Sequence, residues 1–315
     1  MSRAAAARGL ALLVLAALAA PRAPAAVYWV TVAGLGGEDE YQQRFSSEAA
    51  ELDKLLRASD PQMHVTTLSG AQATRAQLTA LLGAVARQVT PEDEFVLLLI
   101  GHGSFDGTTY KFNLPGPDLS APQLAALCNA VPARAQLIIN TTSASGGAIP
   151  ALQRSGRALI AATKSGTEKN ATVFARYWIE ALQDPDADVD KSESISALEA
   201  YEYAARRTAD FYASEKRLAT EHAVFEDVGK GAAVRAASDG GEGRLLASIT
   251  LVRLGEAQSS ARDPAKRELL AHKDKLLEQL DALKYRKAAM EDGPYQTQLK
   301  SLLLDLARTQ AALDK

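Results

Sequence analysis

A single cysteine, Cys128, among 315 residues excludes an internal disulfide. Histidine is also scarce: the four at positions 64, 102, 222 and 272 show no paired metal-ligand spacing, which argues against a zinc site. Basic charge is not in surplus. With 35 Lys and Arg against 38 Asp and Glu the net charge is −3, so the basic face that a nucleic-acid binder uses to neutralise phosphates is missing. Long apolar runs are missing too. Leu10 to Ala20 has 11 residues, short of the ~20 that a helix needs to cross a bilayer. Arg3 and Arg8 precede that run and the small residues Ala23-Pro24-Ala25 follow it, the make-up of a secretory leader. The expectation is a signal peptide over residues 1–25 and a periplasmic or secreted mature chain with no stable membrane span. Loss of Arg3, Arg8 and Arg22 with the leader takes the net charge from −3 to −6.

What is present is 47% hydrophobic and 23% charged, a globular composition. Short apolar runs alternate with segments of helical period, the pattern of a mostly parallel sheet flanked by helices, so the fold class is α/β. Val27 to Val32, His64 to Leu68, Phe95 to Ile100, Gln136 to Asn140 and Arg157 to Thr163 read as strands. Ala247 to Val252 reads as a last one. Phe95 to Ile100 (FVLLLI) is unbroken apolar and belongs at the centre. Helices are expected over 38–56, 74–89, 120–131, 172–182 and 196–213, with Ser196 and Glu199 at capping-box spacing. These elements make one α/β domain over residues 26–252. Residues 262–315 read as an antiparallel helical hairpin: leucines 269, 276 and 283 recur every seven positions, and Asp292-Gly293-Pro294 separates them from a second helix beginning at Tyr295. Its leucine stripes either dock on the α/β domain or pair with another chain, which makes residues 262–315 the candidate for self-association.

Gly34-Leu35-Gly36-Gly37 follows the first strand, but the third glycine of a dinucleotide fingerprint falls on Asp39, and Glu38 and Glu40 beside it would repel a pyrophosphate. A tight strand-to-helix turn is reading enough. Two other strand ends carry more. Ile100 runs into Gly101-His102-Gly103, and the strand through Asn140 runs into Ser143-Ala144-Ser145-Gly146-Gly147. In an open α/β sheet the carboxyl ends of adjacent strands share one crevice, so a histidine and a hydroxyl delivered there sit close together. The glycines permit close backbone approach and can aim N–H groups at a substrate oxygen.

At these residues the chain resembles the caspase-like cysteine peptidases, and over about 27–230 it looks like a bacterial, legumain-type branch of that group. The resemblance implies a caspase-like fold. It sets His102 on the catalytic histidine, Gly103 on the glycine whose N–H helps to hold the oxyanion, and Ser145 and Gly146 on the Ser-Gly after the nucleophile. The nucleophilic cysteine falls on Ser143. A thiol, with a pKa near ~8.5, is partly ionised at neutral pH, whereas a serine hydroxyl needs an aligned general base. No such base is evident in the sequence around Ser143. Cys128, inside LAALCNA, reads as a small core residue rather than a displaced nucleophile.

Three roles stay open: a pseudo-peptidase that binds a protein or peptide, a hydrolase using a Ser143/His102 dyad, and an envelope protein assembled through its tail. None requires a cofactor, and no nucleic-acid partner is expected. A separate segment has the spacing of an EF-hand loop: Asp188, Asp190, Ser192, Ser194 and Glu199 stand at positions 1, 3, 5, 7 and 12. Calcium is the candidate ion, although position 6, normally glycine, is Glu193. Glu221-His222 with Glu226-Asp227 is a further polar cluster near the crevice, and Tyr201, Tyr203, Phe211 and Tyr212 read as core.

Overall fold

The structure, a computed structural model, describes residues 25–238 and 241–315, and the side chains of all of these except Tyr285 and Ala288. The expected leader, apart from Ala25, lies outside the described residues. In chain order the elements are β1 (Val27–Ala33), α1 (Asp39–Ser59), β2 (His64–Leu68), α2 (Arg75–Gln88), β3 (Glu94–Ile100), β4 (Gly103–Phe105), β5 (Tyr110–Phe112), β6 (Leu119–Ser120), α3 (Ala121–Asn129), β7 (Ala135–Asn140), α4 (Ile149–Leu152), β8 (Arg157–Ala161) and α5 (Phe174–Ala181). Then come β9 (Ser194–Ser196), α6 (Ala197–Ser214), β10 (Val224–Glu226), α7 (Arg244–Ser248), β11 (Thr250–Arg253), α8 (Gly255–Arg262), α9 (Arg267–Arg286) and α10 (Asp292–Leu313).

The main sheet has the order β10-β8-β7-β3-β1-β2. Its strands are parallel except for β10, which runs antiparallel to β8. Side-chain alternation along β3 decides the layering. Val96, Leu98 and Ile100 enter one core and Phe95, Leu97 and Leu99 enter the other, so the strand is covered on both faces. On the first face α1 contributes Phe45, Ala49, Leu52 and Leu56, beside α5 and α6. On the second, α2 contributes Leu78, Leu82 and Val85, beside α3 and α4. These spacings of three and four are the apolar stripe of a core-facing helix. The fold is therefore α/β, with a mostly parallel sheet between two helical layers.

The chain moves outward from β1 to β2, then returns to the other side of β1 at β3 and continues through β7 and β8. That reversal leaves a crevice outside the carboxyl ends of β1 and β3, where open α/β sheets take ligands. Two expectations need correction. Residues 244–248 are helical and the last strand starts only at Thr250, because the Asp227 carboxylate accepts the N–H groups of Gly243, Leu245 and Leu246 and starts a helix there. β11 pairs with β9 in a separate two-stranded sheet. The second tail helix begins at Asp292, not Tyr295, with Pro294 in its first turn, where a missing N–H costs no hydrogen bond.

The tail forms an antiparallel pair. Lys266, just before α9, donates through Nζ to the carbonyl of Leu313 at the end of α10 (2.5 Å), and Leu270, Leu276, Leu283, Tyr295 and Leu313 are buried. The pair packs on α8 through Ala257, Ala261, Leu270 and Leu313, and α9 reaches the α/β domain through Arg253 with Asp274 at 2.5 Å and Lys273 Nζ with the Ser192 carbonyl at 3.4 Å. Leu303 and Leu304 on α10 stay exposed. Among the described residues no helix is long and apolar enough to cross a membrane.

Candidate functional site

The carboxyl ends of β1, β3 and β7 meet as expected. Gly34 N–H donates to the Ile100 carbonyl (2.8 Å) and Leu35 N–H to the Asn113 carbonyl (3.0 Å), which ties the turn after β1 to the segment carrying His102. A side chain at Gly34 would strike Asn113 and Phe112, and one at Gly36 would strike Gln42. The glycine turn is accounted for by this packing. His102 leaves β3 with its ring set edge-on to Tyr41 and Phe45 of α1, at centroid distances of 4.8 and 5.1 Å. Burial holds its pKa below the ordinary value; a hydrogen bond to the Gly36 backbone opposes this, and the nearby Arg44 charge adds to it. The ring is therefore biased to the neutral form at neutral pH.

Gly103 lies against the end of β7. A Cβ there would run into the Ser143 carbonyl, the Thr142 hydroxyl and the Tyr110 ring, so only glycine allows this approach. The Asn113 N–H bonds the His102 carbonyl, which makes Gly103 and Phe112 a non-hydrogen-bonded pair. The Gly103 N–H thus points away from β5. Gly103 and Ser143 are thus brought together, while the His102 ring packs on α1.

Ser143 itself is only 2% exposed. Its hydroxyl has no hydrogen bond to His102 or to any other base among the described residues. The preceding strand end is clamped. Thr142 Oγ1 donates to Asn140 Oδ1 (2.8 Å) and lies 2.6 Å from the Tyr110 hydroxyl, while Thr141 donates through Oγ1 to the Leu99 carbonyl (2.7 Å). Ala144 then takes a left-handed φ of 55°, an uncommon conformation for a residue with a Cβ. Ser145 and Gly146 do not line the crevice. Thr163 N–H donates to Ser145 Oγ (3.0 Å) and Gly146 N–H to Thr163 Oγ1 (3.0 Å), so both face the segment after β8. Their role is to bolt the turn in place.

A pair that the sequence only half disclosed lies on the far side of that turn. The Ala144 N–H donates to the Glu168 carbonyl (2.7 Å). The Glu168 carboxylate accepts the backbone N–H groups of Lys164 (2.9 Å) and His222 (3.1 Å), and lies 2.5 Å from His222 Nδ1. A carboxylate acceptor there places a proton on Nδ1. His222 was visible as a polar residue, but its partner is 54 residues away, and no local pattern links them. Next to it, Glu221 accepts the N–H groups of Val173 and Phe174 and the Tyr212 hydroxyl. Burial pushes its pKa up to about 7 despite those bonds.

The EF-hand-like segment is divided. Asp188, Asp190 and Glu199 bring carboxylate oxygens within 4.8 Å of one another, whereas the Ser192 and Ser194 hydroxyls turn to each other at 2.9 Å. The loop closes on its own carboxylates: Asp188 accepts from Ser192 and Glu193, Asp190 from Ser192, and Glu199 from Val189 and Ser196. Glu193 takes the left-handed φ (63°) that glycine would supply at position 6. Its carboxylate accepts the Ala257 N–H in the first turn of α8 (3.2 Å), a contact that glycine lacks. Cys128 is fully buried, and burial pushes its thiol up to about 12. A thiol held there is inert. Tyr201, Tyr203 and Tyr212 are buried, and the half-buried Phe211 packs against the same core.

No family model matches the chain, and no curated protein matches it. Among solved structures it is similar to protein GSU0716 from Geobacter sulfurreducens, with a TM-score of 0.45 at 13% identity, over 66% of this chain and 95% of that one. It is similar also to the Drosophila initiator caspase Dronc, with a TM-score of 0.45 at 11% identity, over 67% of this chain and 82% of that one.

Proposed function

We propose that the chain is an exported, peptidase-like module that holds a protein or peptide segment in the crevice at His102 and Gly103 without cutting it. One observation carries this reading: Ser143, at the nucleophile position, has no base hydrogen-bonded to its hydroxyl among the described residues. An unactivated serine is a weak nucleophile. The outward Gly103 N–H and the half-buried, aromatic-flanked His102 remain as hydrogen-bonding and packing groups for a backbone laid across the strand ends. The test is incubation of the purified mature chain with a random peptide library, followed by mass spectrometry of retained and released peptides. Retention of uncleaved peptides, weakened in His102→Ala, supports the reading; new termini that disappear in His102→Ala overturn it.

A hydrolytic reading rests on a different observation, the Glu168–His222 pair fastened to Ala144. A histidine oriented by a carboxylate is the usual partner of a serine nucleophile. Turnover that survives His102→Ala and is lost in His222→Ala would favour that second reading.

A further inference from the structure

One large cavity among the described residues is not at the crevice. It lies at the opposite end of the main sheet, as a groove between the amino ends of the strands and α9, with a volume of about 2160 Å³. Sites for small molecules have ~300–1,000 Å³, so this one has the size for a chain segment. Its α9 wall runs from Arg267 to Lys284, about 25 Å at the helical rise, which matches roughly eight residues of extended chain.

The two walls differ in charge. Along α9 the charges balance, Lys275 and Lys284 standing with Glu278 and Asp281. The domain wall carries three cations: Arg134 and Arg253 are paired, with Glu94 and with Asp274, and Arg244 is also engaged. Asp190, Glu199, Glu202 and Asp227 line that wall without an ion-pair partner among the described residues. Glu202 feels the crowding: burial and the neighbouring Glu199 charge raise its pKa, against the opposing charge of Arg206. Amid these carboxylates Val189 is 65% exposed. An apolar surface ringed by carboxylates suits a lysine or arginine, whose aliphatic stem packs while its head reaches the charge.

We propose that this groove is a docking site for an extended, lysine- or arginine-rich segment of a partner protein, distinct from the crevice. Arg253–Asp274 and Lys273–Ser192 bridge the seam between α9 and the domain at two points.

The test uses fluorescence anisotropy of the mature chain with a labelled (Lys-Ala)5 peptide, and with (Glu-Ala)5 as control, at low and physiological salt. The expected result is binding of the basic peptide alone, weakened by salt, and weakened about tenfold in the double variant Asp190→Asn/Glu202→Gln, whose two side chains are exposed. His102→Ala should leave it unchanged, so this proposal and the crevice reading fail separately. An equal loss in Asp39→Asn/Glu40→Gln, which removes the same charge at the other end of the sheet, would overturn the proposal by showing only general attraction to an acidic protein. Equal binding of both peptides, or no effect of the groove variant, would overturn it as well.

Discussion

Single residues show how closely the crevice is fitted. Because a Cβ at Gly103 would meet the Ser143 carbonyl and the Tyr110 ring, Gly103→Ala should cost about 1–3 kcal/mol as an overpacking change, read as a lower urea midpoint with an unchanged slope. Arg157 is a sharper case. The residue is 1% exposed and, among the described residues, its guanidinium has no carboxylate partner; it is held by Gln136 Oε1 (2.9 Å), the Leu152 carbonyl (2.7 Å) and Asn129 Oδ1 (2.9 Å). Truncation strands those acceptors, so Arg157→Ala should cost about 3 kcal/mol or more in the same assay. Glu221 predicts a pH effect. Its folded pKa is raised to about 7, so between ~4.5 and ~7 the folded state binds more protons than the unfolded one, and stability falls as pH rises across that window. Denaturant titrations at about pH 5 and about pH 8 should show this loss in the wild type and a smaller one in Glu221→Gln. An unchanged difference would contradict the assignment.

At the scale of elements, what the sequence disclosed tracks how local the cause is. The capping box of Ser196 and Glu199 was legible because both halves lie in four consecutive residues, and both bonds form (2.9 and 3.2 Å). Ser196→Ala should cost about 1 kcal/mol. FVLLLI announced the central strand by composition alone. By contrast β9 and β10 have three residues each, too few to set a period, and each is a strand only because a distant segment pairs with it. β11 was misplaced at its start because the cap that makes 244–248 helical comes from Asp227. The site was legible to the same degree. His102, Gly103 and Ser143 sit at the ends of readable strands, whereas the inward turn of Ser145 and Gly146 and the grip of Glu168 on His222 depend on the segment after β8.

For the whole molecule, the two ends of one sheet carry two different surfaces: a crevice of aligned backbone and a neutral-biased histidine at the carboxyl ends, and a wide acidic groove at the amino ends. The helical pair walls only the second. Removing residues 262–315 should therefore abolish binding of basic peptides while leaving peptide retention at the crevice intact, as measured with the two peptide assays on the truncated chain. The claim on which the account rests is the idleness of one hydroxyl, and reaction with a fluorophosphonate followed by intact-protein mass spectrometry measures it most directly. The account predicts an unmodified mass after prolonged exposure; a stoichiometric adduct mapped to Ser143 would contradict it.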